Sequence, residues 1–421
     1  MYNEKYDVTV IGGGPAGMSA AIELQQAGCR VAILERESTL GGILMQCIHN
    51  GFGLQRFKED LTGPEYAERL IAEVQQHPDI AIYTDATVTN ISSDRHVIAI
   101  SPQHGVLDFE NDAVVLAMGC RERNRGNIAI PGTRPSGIFT AGYAQKLVNM
   151  QGLLPGKEAV IIGSGDIGLI MARRLTWSGV TVKAVVEIMP YPGGLVRNIV
   201  QCLDDFNIPL HLSHTVTNIF GRDRVSGVEV ARLDENRQVV EESKFTLECD
   251  TLLLSVGLIP ENELSREVGV QLHSITQGPV VDSDLMTSVD GVFACGNVLH
   301  VHDLVDFVSA EAERCAQGVV RYLERGPAHE HKRTRLVSGH NVRYLVPGRI
   351  NPHHTSVLSF RPLIMGRDVS VTIKADGHKI KRKKYRQVQP SEMIQIPLTP
   401  QEIIGDRAIP AQIEVSIEQN A

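Results

Sequence analysis

Two glycine triplets, each followed at a set distance by a glutamate, are the residues whose spacing speaks most directly of chemistry. Gly12-x-Gly14-x-x-Gly17 lies between a buried-strand pattern at 6–11 and a helical pattern reaching about Gln26. The first glycine of such a triplet permits a tight turn, and the second lets backbone approach a pyrophosphate. The third lets helix pack closely on strand. Pro15 and Ala16 open the helix, whose N-terminus favours an anion. Glu35, 23 residues after Gly12, ends the strand at 30–34, where a carboxylate accepts from ribose hydroxyls. Gly163-x-Gly165-x-x-Gly168, with Asp166 and Ile167 inside it, repeats the pattern, and Glu187 follows 24 residues after Gly163. A carboxylate there repels a 2′-phosphate, and no arginine follows before Arg197, which favours NAD over NADP.

These residues need strands and helices to hold them. Each triplet sits in a strand–turn–helix–strand run, the second being 158–162, a helix to about Ser178 and a strand at 180–187. Two such units in one chain mean two nucleotide-binding folds, so the fold class is α/β with two Rossmann-like domains. Thr62-Gly63-Pro64-Glu65 has capping-box spacing and predicts a helix over 61–76. Past Arg325-Gly326-Pro327 the pattern alternates as strands do, at 370–374 and 412–417, predicting a small β-rich module over 330–421.

Charge separates the same regions. Residues 330–421 hold 15 Lys+Arg against 8 Asp+Glu, whereas the remainder hold 26 against 41, so the net −8 averages +7 and −15. The densest basic run, Lys379-Ile380-Lys381-Arg382-Lys383-Lys384-Tyr385-Arg386, reads as a solvated strand and turn or as a docking face for an acidic partner. No recognisable motif surrounds it, so no nucleic-acid role is expected. Six histidines between 329 and 378 read as surface residues. Seven scattered cysteines with no close pair argue against disulfides, iron–sulfur and structural zinc. No apolar run reaches membrane-spanning length, and a signal peptide is not expected. The expected location is cytoplasmic, with any membrane association made through partners.

The two triplets and four further stretches resemble the two-dinucleotide-binding-domain flavoproteins, the pyridine nucleotide–disulfide oxidoreductase superfamily. Gly41-Gly42 matches the family's diglycine, and Val114-Val115-Leu116-Ala117-Met118-Gly119 its strand-plus-glycine crossover. Leu252 to Pro260, with Gly257, resembles the second crossover. Thr287 to Asn297 resembles the returning FAD motif, with Gly296 and with Asn297 where relatives carry Asp. The resemblance implies an FAD-binding domain at 1–120 and 280–325, with an NAD-binding domain inserted at 150–260. FAD and NAD are the implied cofactors. The implied binding residues are Gly12, Gly14, Pro15, Ala16, Gly17, Glu35, Arg36, Gly41, Gly42, Ala117, Gly119, Gly296 and Asn297 for the first, and Gly163, Gly165, Asp166, Ile167, Gly168, Glu187 and Gly257 for the second.

The chain departs from that pattern after Gly42. Reductases place two cysteines there, whereas this chain has Cys47 alone, with His49 two residues on. In a strand the pair would share a face, and His49 would stabilise a thiolate. The bland alternative is an inert pocket-lining thiol. The helix of the second triplet carries Leu169-Ile170-Met171 where relatives have a glutamate. Arg121 and Arg123 read equally as phosphate contacts or solvated side chains. His300-Val301-His302, followed by Asp303 and Asp306, falls where relatives open a helix near the flavin, implying a dipole that stabilises reduced flavin. As a metal site it lacks a third well-spaced ligand, so no metal is expected.

More narrowly, the stretches 41–53, 61–67 and 118–123 resemble bacterial NAD(FAD)-dependent dehydrogenases associated with an anaerobic-type glycerol-3-phosphate dehydrogenase and a small cysteine-bearing protein. Opine oxidase and hydrogen cyanide synthase subunits are more distant lookalikes. Three functions follow: an electron-transfer subunit whose partner is a substrate-oxidising flavoprotein, a stand-alone NADH-dependent peroxide, disulfide or persulfide reductase using Cys47, or a flavin-bearing scaffold.

Overall fold

A computed structural model describes residues 2–325 and 333–419 of the chain. Its internal contacts form two compact units, Met1–Cys120 with Pro260–Ala421, and Arg121–Ile259. The turn Gly326-Pro327, read from sequence as a boundary, lies outside the described residues, as do His329 and His331.

The first unit is built on a seven-stranded sheet. Tyr2–Ile11 lies centrally, pairing parallel with Val31–Leu34 on one side and with Gly105–Leu116 on the other. Ile80–Tyr83 extends one flank, and antiparallel Val97–Ser101 and Thr87–Ile91 extend the other. Val292–Ala294 returns to pair beside Gly105–Leu116. Val8, Val10, Val31 and Ile33 are wholly buried, the unbroken apolar run expected of a parallel strand covered on both faces. The first helix, Pro15–Gln26, seats Met18, Ala21 and Leu24 in the core. The helix Gly63–Gln75 forms with the expected capping box, Thr62 N donating to Glu65 Oε2 at 2.8 Å. That reciprocal cap is worth about 1 kcal/mol.

The β-rich segment is no free appendage. It has its own core, which includes Leu358, Phe360, Val371, Ile413, Val415 and Ile417, between a five-stranded and a three-stranded sheet. Yet Tyr344 and Val346 join the core of the first unit. Asp303 fixes the contact: it pairs with the Arg361 guanidinium and accepts Met393 N at 2.6 Å, while Arg361 also donates to Val301 O at 3.0 Å. Charge composition marks a module but not its attachment. The basic run lies on His378–Val388, a largely exposed strand at the edge of the five-stranded sheet. His340, His353 and His378 are exposed, as their sequence context indicates, and His354 is partly buried.

The second unit carries a five-stranded parallel sheet in the order 138–140, 251–254, 158–162, 181–187, 210–212. A three-stranded antiparallel sheet of His214–Gly221, Val225–Arg232 and Phe245–Leu247 accompanies it. The second unit begins before position 150: it includes the edge strand Ile138–Thr140 and the helix Ala141–Gln151. Three residues of edge strand carry no periodicity by which sequence could register them.

Candidate functional site

At the first triplet the fold explains two glycines and leaves the third for something else. Gly12 sits at φ +107°, and a Cβ there would lie 2.5 Å from Ala117 O. On Gly17 a Cβ would lie 1.8 Å from Gly12 O. Gly14 has nothing within 4 Å of where a Cβ would be. It is also the N-cap of the first helix, with no side chain capping it and Pro15 following. Open space in front of uncapped helical N–H groups is an anion cradle. The other expected residues gather around it. Gly41 N donates to Gly13 O at 2.9 Å, and a Cβ on Gly42 would lie 3.1 Å from Gly14 Cα. A Cβ on Gly296 would meet Ala16 Cβ at 2.8 Å. Gly119 sits at φ +73° beside open space. Arg36 is exposed on the strand's far end. Asn297 is occupied within the protein, accepting His302 N at 2.9 Å and donating to Cys120 Sγ at 3.6 Å.

The second triplet repeats the construction. Gly163 sits at φ +93° with Ser255 O 2.1 Å from a would-be Cβ, and Gly168 would meet Gly163 O at 2.6 Å. Gly165 and Gly257 face open space. The two glutamates are held alike. Glu35 accepts Gly13 N at 2.7 Å and Glu37 N at 2.8 Å. Glu187 accepts Ser164 N at 2.8 Å, Ser164 Oγ at 2.6 Å and Met189 N at 2.9 Å. Each carboxylate thus ties the residue inside its own triplet to the chain two residues beyond itself. Asp166 accepts Leu195 N at 2.9 Å and Asn198 Nδ2 at 2.6 Å, so it anchors the following segment; Ile167 is exposed at the helix start. Arg121 and Arg123 are exposed, and Glu122 accepts Gly142 N at 2.7 Å.

Sequence reading missed Gly193-Gly194. A Cβ on Gly193 would lie 3.7 Å from Gly165 N, and Gly193 N donates to Ser164 Oγ at 2.9 Å. The pair stands six and seven residues after Glu187, the same offset as Gly41-Gly42 from Glu35. That offset was the available signal.

Cys47 is not in a strand. Positive φ at Gly41 (+109°) and Gly42 (+56°) turns the chain into the 3₁₀ segment Gly42–Gln46, and Cys47 closes it. The alternation that would have put Cys47 and His49 on one face therefore does not operate. Cys47 O accepts the first helical N–H from Gly63 at 2.8 Å, and Cys47 Sγ donates to Ile43 O at 3.3 Å. Burial pushes the thiol up to about 12, the opposite of thiolate stabilisation. The His49 ring packs on Phe52 at 5.1 Å between centroids. A thiol neutral far above pH 7 predicts slow alkylation: at pH 8, iodoacetamide should label Cys47 on the order of a thousandfold more slowly than a free thiol. Labelling at the free-thiol rate, read by peptide mass spectrometry, would contradict this.

His300 and His302 do have a third potential ligand, contrary to the expectation from their local spacing. Nine residues after His302, the helix Val305–Arg325 returns Glu311 to both rings. Glu311 Oε2 lies 2.9 Å from His300 Nε2 and 3.4 Å from His302 Nε2, while Oε1 accepts Gly296 N at 2.9 Å. Burial lowers His300; it also opposes ionisation of Glu311, yet the two imidazoles hold that carboxyl well below its usual range.

The family model for pyridine nucleotide-disulphide oxidoreductases matches residues 6–317. The chain belongs to that family. Among curated relatives it is 27% identical to the A chain of the opine oxidase of Agrobacterium tumefaciens over 312 residues, 69% of this chain and 61% of that one. It is 26% identical to hydrogen cyanide synthase subunit HcnB of Pseudomonas protegens over 284 residues, 62% and 58% of the two chains. The chain thus spans about three fifths of the length of these relatives. Over 76% of its length the fold is similar to that of the T. acidophilum thioredoxin reductase, with TM-score 0.61 at 24% identity and 99% of that chain covered.

Pyridine nucleotide-disulphide oxidoreductases use FAD and NAD(P)H as cofactors, and this chain carries the residues such cofactors need. Its residues fit both cofactors: each triplet offers an open middle glycine at a helix start with a glutamate fixed beyond it. Among the described residues, no helix is long and apolar enough to cross a membrane.

Proposed function

We propose that the chain is the NAD-linked, FAD-bearing electron-transfer subunit of a multi-subunit dehydrogenase. FAD takes the cradle at Gly12–Gly17 within 1–120 and 280–325, and NAD the cradle at Gly163–Gly168 within 150–260. The observation that carries this reading is the pairing of two open cradles with a single protonated thiol, Cys47, where disulfide reductases carry a dithiol. When bound, the cofactors supply hydride exchange between nicotinamide and flavin. The chain's own part is to bind and orient them, and no side chain has to move a proton for that exchange. Two relatives are themselves named as subunits, which supports a division of labour. The partners in this reading are a substrate-oxidising flavoprotein of glycerol-3-phosphate-dehydrogenase type and a small cysteine-bearing protein.

The test is anaerobic addition of NADH to the purified flavoprotein. Bleaching of the flavin in both wild type and Cys47→Ser is the expected result. Bleaching followed by peroxide or disulfide turnover lost only in Cys47→Ser would replace this reading with the stand-alone reductase. No bleaching would leave a scaffold.

Coenzyme choice follows from Glu187, which is buried and held by three donors, and so cannot swing away from a 2′-phosphate. A like-charge contact costs several kcal/mol, so kcat/KM for NADH should exceed that for NADPH at least roughly tenfold. Equal values would refute the assignment to NAD.

A further inference from the structure

We propose that His300, His302 and Glu311 form a binding site for a divalent transition ion of zinc type, at the loop that follows the returning glycine turn. The site stands whether or not the electron-transfer role holds.

The three side chains are sealed: their exposures are 1%, 0% and 2%. Protein covers them on every side, so they do not line the flavin cradle. What they do face is one another. One ligand atom from each residue lies within 4.8 Å of the others. The separations of 2.9 and 3.4 Å from Glu311 Oε2 bracket the roughly 3.3 Å between donor atoms on a tetrahedral ion with bonds near 2.0 Å.

Hydrogen bonding leaves the cluster unfinished. His300 Nδ1 and His302 Nδ1 have no hydrogen-bond partner among the described residues, and His302 Nε2 meets only Glu311 Oε2, at a long 3.4 Å. A buried polar atom left so loses its solvation without replacement. The buried Glu311 carboxylate makes its ion-pair contacts with the two histidines alone and meets no lysine or arginine among the described residues. Arg361, a cation whose charge reaches the cluster, is already paired with Asp303. A divalent ion answers both deficits. Two histidines and one carboxylate are a familiar donor set for zinc or ferrous iron, and three protein ligands leave a position for water.

The surroundings hold the ligands in place before the ion arrives. Glu311 Oε1 accepts Gly296 N, and His302 N donates to Asn297 Oδ1 at 2.9 Å. Such outer contacts fix ligand orientation. An ion here would pin the Gly296–Asn297 turn to the Val305–Arg325 helix.

The experiment is metal analysis by mass spectrometry on the full-length flavoprotein, purified without a histidine tag. Zinc or iron in stoichiometric amount is expected, falling to background in Glu311→Gln and in His302→Gln but retained in His49→Gln. Wild type stripped with a chelator should regain melting temperature on addition of zinc chloride alone, which keeps the test independent of whether the variants fold. Wild type that carries no metal as purified and shows no thermal shift with zinc would overturn the site, leaving a hydrogen-bonded triad with or without an enclosed water.

Discussion

A Gly14→Ala chain should fold with an unchanged melting temperature and emerge from purification without its flavin colour. Gly14 has φ −77° and ψ −174°, a conformation alanine adopts freely, and a Cβ there meets no protein atom within 4 Å. The fold therefore does not need glycine at this position. The ligand does, because the methyl group occupies the space through which backbone approaches a diphosphate. Flavin content, read from the visible spectrum against protein concentration, should drop at least roughly tenfold for a loss of 1.4 kcal/mol or more in binding. Gly165→Ala, at φ −67° with open space beside it, should likewise spare stability and raise KM for NADH while the flavin is kept. Normal flavin content in Gly14→Ala would move the cofactor away from this cradle.

Gly17→Ala should do the reverse. Its Cβ would stand 1.8 Å from Gly12 O and 3.3 Å from Val10 Cγ1, and both neighbours are fixed by the sheet. Backbone cannot rotate aside as a long side chain does, so the helix must lift from the strand. Forcing a methylene into a packed interior costs typically 1–3 kcal/mol, and a backbone clash belongs at the upper end. Thermal denaturation should show the loss even with saturating FAD, at about 2–4 °C per kcal/mol for a unit of this size. A melting temperature equal to wild type would mean that helix and strand are not packed as described.

The contrast between these two glycines shows how far the sequence carries. Strand, helix and acid around each triplet were legible because each is a local pattern: the helix predicted over 61–76 forms at Gly63–Gln75 with its capping box, and the helix ending near Gln26 ends there. What was not legible depends on contacts between distant positions. Glu311 reaches His302 only because a helix turns the chain back, so a search for closely spaced ligands passes over it. Cys47 leaves the expected strand because two glycines just before it take positive φ. The basic module looked separate because composition reports charge and says nothing of the Asp303–Arg361 pair that attaches it. The matching offsets of Gly41-Gly42 and Gly193-Gly194 were present in the sequence and carry weight only once Glu35 and Glu187 are seen making the same bonds.

The exposed edge strand His378–Val388 governs behaviour in concentrated solution. An unpaired sheet edge of 11 residues is a template on which another copy can add a strand, the first step toward a fibre. Lys381 is paired with Glu402 at 2.7 Å, but Lys379, Arg382, Lys383, Lys384 and Arg386 give the strand one sign of charge, so a second copy arriving strand to strand meets like charge. The density of lysine and arginine there opposes strand addition by a second copy. Polyanions or high salt that screen those charges remove the barrier, and with it the protection against self-association.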